Sequence, residues 1–229
     1  MATRKSKNEV AVADLSPGTS IVSETDKDGN KVVNFDPVFP IMTGRVRLPE
    51  IDLARMSHEV LKLSEGKDNY EGGWTSFFTQ MDISTITGMN DVAQAAVGVS
   101  GAMIRELKLN ADPAKATLQM WVSVMRKGGF HGIHSHAGSV ISGTFYVQCD
   151  DKAAPLALMN PTRHFRNHET RPEPQDMGPF TSEQMLIKPE AGQMIVWPSW
   201  LEHHVLRHND DRPRIAISFN VDYPFLDKK

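Results

Sequence analysis

The chain has 229 residues, 25 Lys and Arg against 28 Asp and Glu for a formal net charge of −3, and one cysteine, Cys149. That length suits one domain with a full hydrophobic core, and charges of both signs are interspersed without the basic patch that nucleic-acid binders use, so no nucleic-acid partner is expected. A lone cysteine excludes an internal disulfide and fits a reducing, cytoplasmic setting. No run approaches the roughly 18 apolar residues of a membrane helix, and no apolar segment follows the basic stretch Met1 to Asn8 as in a signal peptide, so no membrane partner is expected.

Residues 1 to 35 are rich in Lys, Asp, Ser, Thr and Gly, carry the turn signal Asp28-Gly-Asn30 and show no sustained periodicity. They are expected to form a flexible or peripheral N-terminal segment, and residues 36 to 229 the main domain. Pro49-Glu50 is expected to open a helix on which Leu53, Met56, Val60 and Leu63 recur at helical spacing. A second helix follows Asn90 or Asp91 as cap, with Val92, Ala96, Val99 and Met103 on one stripe.

From Thr117 the apolar period becomes two. Leu118, Met120, Val122 and Val124 alternate with Thr117, Gln119, Trp121 and Ser123. Ile141, Phe145 and Val147 alternate with Ser142, Thr144 and Tyr146, and Ile215, Ile217, Phe219 and Val221 with Arg214, Ala216, Ser218 and Asn220. One face of each segment is apolar and the other polar and small. In a two-sheet barrel the polar face lines the lumen, and the apolar face packs against the helices. Pro189-Glu-Ala-Gly192 reads as a turn into Met194 to Trp197, whose end delivers His203. Between Thr162 and Thr181 lies a polar loop with His164, Arg166, His168 and Arg171, read either as a lid or as a solvated insertion.

The segment His131-Gly-Ile-His134-Ser-His136, with His203 following 67 residues after His136 and Arg214 eleven after His203, is where chemistry concentrates. Imidazoles two residues apart on a strand point the same way. A distant third imidazole closes one face of a metal, and non-heme Fe(II) oxygenases use three ligands on one face, usually two His and a carboxylate. His134, His136 and His203 are the expected metal ligands and catalytic residues. His204 competes with His203, but neighbours on a strand face opposite ways, and only one can serve. Arg214 on a lumen position is costly to bury unpaired, which a carboxylate ligand would relieve. Ser142 and Tyr146 share a strand face from which their hydroxyls can donate to such a ligand. Gly72-Gly73 marks a tight loop at the pocket rim, and Trp74, Trp197 and Trp200 are read as packing residues.

Taken together, Gly72-Gly-Trp-Thr-Ser76, Trp121, His134-x-His136, Ser142-Gly-Thr-Phe-Tyr146, Asn160-Pro161, Pro198-Ser-Trp-Leu-x-His203-x-Val205 and Arg214-Ile-Ala-Ile-Ser-Phe-Asn220 resemble the short 2-oxoglutarate/Fe(II) oxygenases of bacteria and phages, within the double-stranded β-helix dioxygenase superfamily. The resemblance spans roughly residues 36 to 225. It implies a mainly β fold with some α, a double-stranded β-helix (jelly-roll, cupin-like) barrel backed by N-terminal helices. It also implies Fe(II) as cofactor, 2-oxoglutarate as co-substrate, O2 and a small-molecule substrate, which would be hydroxylated as 2-oxoglutarate becomes succinate and CO2. By the same resemblance Arg214 pairs with the distal carboxylate of 2-oxoglutarate, and His131 stands where relatives often have a tyrosine contacting it. Two rival readings remain at this stage: a three-histidine cupin-type dioxygenase that does not use 2-oxoglutarate, and a non-catalytic metal- or ligand-binding jelly roll. A homodimer is compatible with the sequence, which does not select a substrate.

Overall fold

The computed structural model describes residues 11–12, 32–33, 39–79, 81–165 and 181–224. The Asp28-Gly-Asn30 turn signal and Arg166, His168 and Arg171 of the polar loop lie outside these residues. Two units are delimited, 1–41 and 42–229. In the first, β1 (Ala11–Val12) pairs in parallel with β2 (Val32–Val33), so these two segments do not form a hairpin with one another.

The second unit begins with β3 (Gly44–Arg47) and α1 (Leu53–Ser64). The helix starts later than Pro49-Glu50 because the carboxylate of Asp52 accepts from the backbone N–H of Arg55 and caps the first turn at that point. Next come β4 (Gly73–Thr75), a 3₁₀ turn at Ser76–Phe78 and α2 (Met89–Glu106). The N-cap of α2 is Gly88, with φ of 79° and no side-chain cap, so neither Asn90 nor Asp91 plays that part. The remaining strands are β5 (Thr117–Met125), β6 (His131–His134), β7 (Ile141–Gln148), β8 (Leu156–Met159), β9 (Gln184–Ile187), β10 (Gln193–Pro198), β11 (His203–Val205) and β12 (Arg214–Asp222).

They form two antiparallel sheets: a major one ordered β3-β10-β7-β12-β5-β4, and a minor one ordered β6-β11-β8-β9. This is a double-stranded β-helix: from β5 to β12 the chain alternates between the two sheets, except at β8 and β9, which follow one another in the minor sheet. The alternation of side chains sorts the core into two clusters. Val122, Val124, Ile141, Phe145, Val147, Val196, Ile217 and Phe219 face outward and pack with Met56, Val60, Val92, Ala96 and Met103 of the two helices. The opposite face of the same strands meets the minor sheet through Met125, Tyr146, Ile195, Trp197, Leu156, Leu158, Val205 and Ala216. Burial of both faces of β7, β10 and β12 removes much apolar area from water, at about 25 cal/mol per Å², and makes these central strands rigid supports for what hangs from them. Trp74 is buried in the outer cluster and Trp197 in the inner one, whereas Trp200 is 58% exposed and does not pack as expected.

Gly72 allows the loop before β4 to pass against the hairpin of β5 and β6. Its φ is 76°, and a Cβ there would stand 2.4 Å from the Cα of Gly129. Among the described residues no helix is long and apolar enough to cross a membrane.

Candidate functional site

His134 ends β6, His136 lies two residues beyond it, and His203 opens β11. The Cα partners His203 and His134 are directly opposite in the minor sheet, so two of the rings meet as a cross-strand pair. The rings are 4.4 Å apart between His134 and His203, 5.0 Å between His136 and His203, and 5.2 Å between His134 and His136, by centroid. One nitrogen from each lies within 4.8 Å of the other two, making the three a candidate metal-ligand cluster. The neighbouring residue His204 points away, its Nε2 2.8 Å from Oε1 of Gln184. Glu202 turns to Arg163 instead, 2.5 Å from its guanidinium.

Each ring of the cluster has its Nδ1 engaged. That of His134 is 2.7 Å from the carbonyl of Gly132, and that of His203 2.9 Å from the carbonyl of Leu201. A carbonyl only accepts, so both Nδ1 atoms carry hydrogen, and in the neutral ring this leaves the lone pair on Nε2. The Nδ1 of His136 is 2.5 Å from Oδ1 of Asn220 and 2.9 Å from Oγ of Ser142. Burial holds His203 neutral down to about 3 and pushes His136 below the ordinary imidazole range. Three imidazoles that each engage Nδ1 and can present Nε2 suit a borderline divalent ion such as Fe(II), which takes them in the deprotonated form.

Ser142, expected to donate to a keto acid, instead directs its hydroxyl to Asn220, Ser199 and His136. Tyr146, four residues along the same face, has its buried hydroxyl beside the guanidinium of Arg214 and no other hydrogen-bond partner among the described residues. Arg214, 3% exposed, sits over the Tyr146 ring with Cζ 5.0 Å from its centroid. Its Nε is unpartnered among the described residues, as is the indole Nε1 of Trp197, whose ring is 4.9 Å from that of His203. No described carboxylate pairs with Arg214. Buried donors without acceptors are costly, so the chemistry of this pocket suits a ligand that offers oxygen acceptors.

His131 belongs to the same pocket. Burial, then the nearby charge of Arg214, lower it to about 4. Its ring lies 5.4 Å from that of Tyr70, whose phenol burial raises to about 12 and whose hydroxyl reaches the carbonyl of Val124 at 3.3 Å. Tyr70 is a pocket residue the sequence did not announce, since it sits in a loop with no periodicity. Trp121, noted in the motif without a role, is 5.8 Å by ring centroid from His136, and Phe77 is 5.1 Å from Trp121 in an edge contact. Asn220 carried a readable signal, because it shares the lumen parity of Arg214 on β12. His208, though buried, serves structure: it accepts from the N–H of Ala154 and faces the carbonyl of Arg212.

Residues 119–220, which contain the three histidines, Ser142, Tyr146, Arg214 and Asn220, match the family described as "Putative 2OG-Fe(II) oxygenase". No curated protein matches the chain. Among solved structures it is similar to a Pseudomonas putida prolyl-4-hydroxylase, with TM-score 0.54 and 13% identity over 80% of this chain and 94% of that one. It is also similar to AviO1 from Streptomyces viridochromogenes, with TM-score 0.53 and 10% identity over 80% and 90%. HygX from Streptomyces hygroscopicus, a structure with nickel and 2-oxoglutarate bound, aligns with TM-score 0.50 and 8% identity over 80% and 83%. At such identities the likeness is one of fold.

Proposed function

We propose that the chain is a 2OG-Fe(II) oxygenase that hydroxylates a small molecule while 2-oxoglutarate is converted to succinate and CO2, a reading supported by the family match over residues 119–220. The observation that carries this reading is the pairing of two features at one barrel mouth: three imidazoles that can present Nε2, and a buried arginine with no acidic partner among the described residues. When bound, Fe(II), 2-oxoglutarate and O2 supply the oxidising power, and the protein's contribution is placement.

His134, His136 and His203 hold the metal from one side. Arg214 would hold the distal carboxylate of the co-substrate, with the Tyr146 hydroxyl and the Trp197 indole N–H available as further donors. His131 and Tyr70 close the pocket on the side of the β5 and β6 hairpin. Met125, Ile195, Leu156, Leu158 and Val205 exclude water, which strengthens the ion pair that Arg214 makes. Since three neutral ligands leave the full charge of the ion uncompensated, a dianionic co-substrate meets stronger attraction here than at a site with a carboxylate ligand.

The test is succinate formation and oxygen uptake by the Fe(II) protein supplied with 2-oxoglutarate and a panel of small metabolites. Succinate without uptake of oxygen would refute an oxygenase. Oxygen uptake without succinate would favour a three-histidine dioxygenase that acts on its substrate directly.

A further inference from the structure

We propose that Asn220, with Ser142 and Ser199 behind it, is the positioning residue that allows an imidazole to serve at position 136 of the metal centre. The inference rests on His134, His136 and His203 being metal ligands, and is independent of the co-substrate. A carboxylate ligand offers two equivalent oxygens. An imidazole must present one particular nitrogen bare, so something has to occupy the other.

His134 and His203 solve this locally, each against a backbone carbonyl two residues earlier in the chain. His136 makes no such contact. Its Nδ1 meets Oδ1 of Asn220 at 2.5 Å, an atom that can only accept. With hydrogen on Nε2 instead, two lone pairs would face one another at that distance. The amide is oriented from its far side, where Nδ2 approaches Oε1 of Gln119 at 3.5 Å, and from beneath, where Oγ of Ser142 donates to the same Oδ1 at 2.8 Å. Oγ of Ser199 lies 2.7 Å from Oγ of Ser142. If Ser199 donates to Ser142 and Ser142 to Asn220, each hydroxyl proton is used once. A lone pair of Ser142 then remains for the Nδ1–H of His136.

Asn220 and Ser142 are Cα partners on the neighbouring strands β12 and β7, which fixes their side chains next to each other under the ring. Ser142 and Ser199 are fully buried and Asn220 is 7% exposed, so water does not compete for these bonds. The backbone N–H of His136 donates to the carbonyl of Ser199 at 3.0 Å, which ties the loop bearing the ring to the same group. Outer partners of this kind set the tautomer and direction of histidine ligands.

Asn220 should therefore matter to metal binding only while position 136 is a histidine. The experiment is a Co(II) titration, followed by visible absorption, of the full-length parent and of Asn220→Leu and Asn220→Asp, each also in a His136→Asp background. In the histidine background Asn220→Leu should weaken Co(II) binding about 10- to 100-fold, and in the His136→Asp background less than about threefold. Asn220→Asp, nearly isosteric, should bind as well as the parent, because its carboxylate accepts the same proton. Equal losses in both backgrounds, or no loss in the parent, would overturn the role. A parent that binds no Co(II) would remove the metal reading itself and this inference with it. Nitrogen-15 shifts of the metal-free parent give a reading that needs neither metal nor a destabilised variant. Hydrogen on Nδ1 of His136 is expected, and hydrogen on Nε2 would overturn the proposal.

Discussion

Replacing Arg214 with methionine should move two measurable quantities in opposite directions. Arg214 is 3% exposed, its Nε has no partner among the described residues, and its compensation there comes from Tyr146, whose ring lies 5.0 Å from Cζ and whose hydroxyl is beside the guanidinium. A buried charge resting on a cation–π contact of about 0.5–2 kcal/mol is poorly offset. Exchanging it for a similarly long apolar side chain should therefore leave the empty protein as stable as before or more so, by on the order of 1 kcal/mol. For a domain of this size that corresponds to a rise of roughly 2–4 °C in Tm. Binding of 2-oxoglutarate should suffer, because a charge-assisted and bidentate contact in a dry pocket is lost. The expected cost is about 2–4 kcal/mol, or roughly 30- to 1,000-fold in Kd. Thermal melts of the metal-free protein give the first quantity. Anaerobic titration of 2-oxoglutarate into the Fe(II) protein, read from the charge-transfer absorption, gives the second. Unchanged affinity would refute the anchoring role, and a large fall in the Tm of the empty protein would show that Arg214 has a structural partner after all.

Three further outcomes are expected. His203→Ala should abolish metal binding while His204→Ala preserves it, since His204 is bonded to Gln184 on the opposite face; elemental analysis of the purified variants decides, and the reverse result would reassign the ligand. His131 stays neutral in the folded chain to about pH 4, whereas an unfolded histidine titrates near 6.5, so between these values only the unfolded state takes up the proton and stability falls with pH. His131→Gln should lack that component, and the Tm difference between parent and variant should shift in the variant's favour from pH 7 to pH 5; a constant difference counts against it. Gly143→Ala should destabilise by about 1–3 kcal/mol or more, because the added Cβ would stand 2.3 Å from Cζ of Phe219 and 2.7 Å from the carbonyl of Ile195. Chemical denaturation checks this, and a neutral variant would mean that Phe219 has room to turn.

The lumen was readable because its determinants are local. Residues 142, 144 and 146, and 214, 216, 218 and 220, alternate with neighbours that, apart from Gly143, are large and apolar, and parity alone assigns them to one face. The same rule allows only one of His203 and His204 to face the metal, and the structure places them on opposite faces; the choice of His203 itself rests on the Pro-Ser-Trp-Leu-x-His pattern. Parity says nothing of depth. It put Ser142 and Tyr146 together as donors to a co-substrate, yet Ser142 sits at the level of His136 and Tyr146 at the level of Arg214. Tyr70 could not be found by any period, because a loop and Gly73 bring it beside His131. Helix starts were misplaced where a competing signal stood within a few residues: the Asp52 cap overrode Pro49, and the left-handed Gly88 overrode Asn90.

The attachment of the three histidines to the scaffold gives the metal a mechanical part. His134 and His203 belong to the minor sheet and face each other across β6 and β11, a short pairing with a register shift before Val205. His136 is held by Asn220 and Ser142 of the major sheet. An ion bound by all three would rivet the free edge of one sheet to the middle of the other, closing the sandwich at the end where it would otherwise open. Loss of metal should then be felt first as faster amide exchange along β6 and β11, with β7 and β12 little altered. In this protein filling the centre and stiffening the barrel mouth would be the same event.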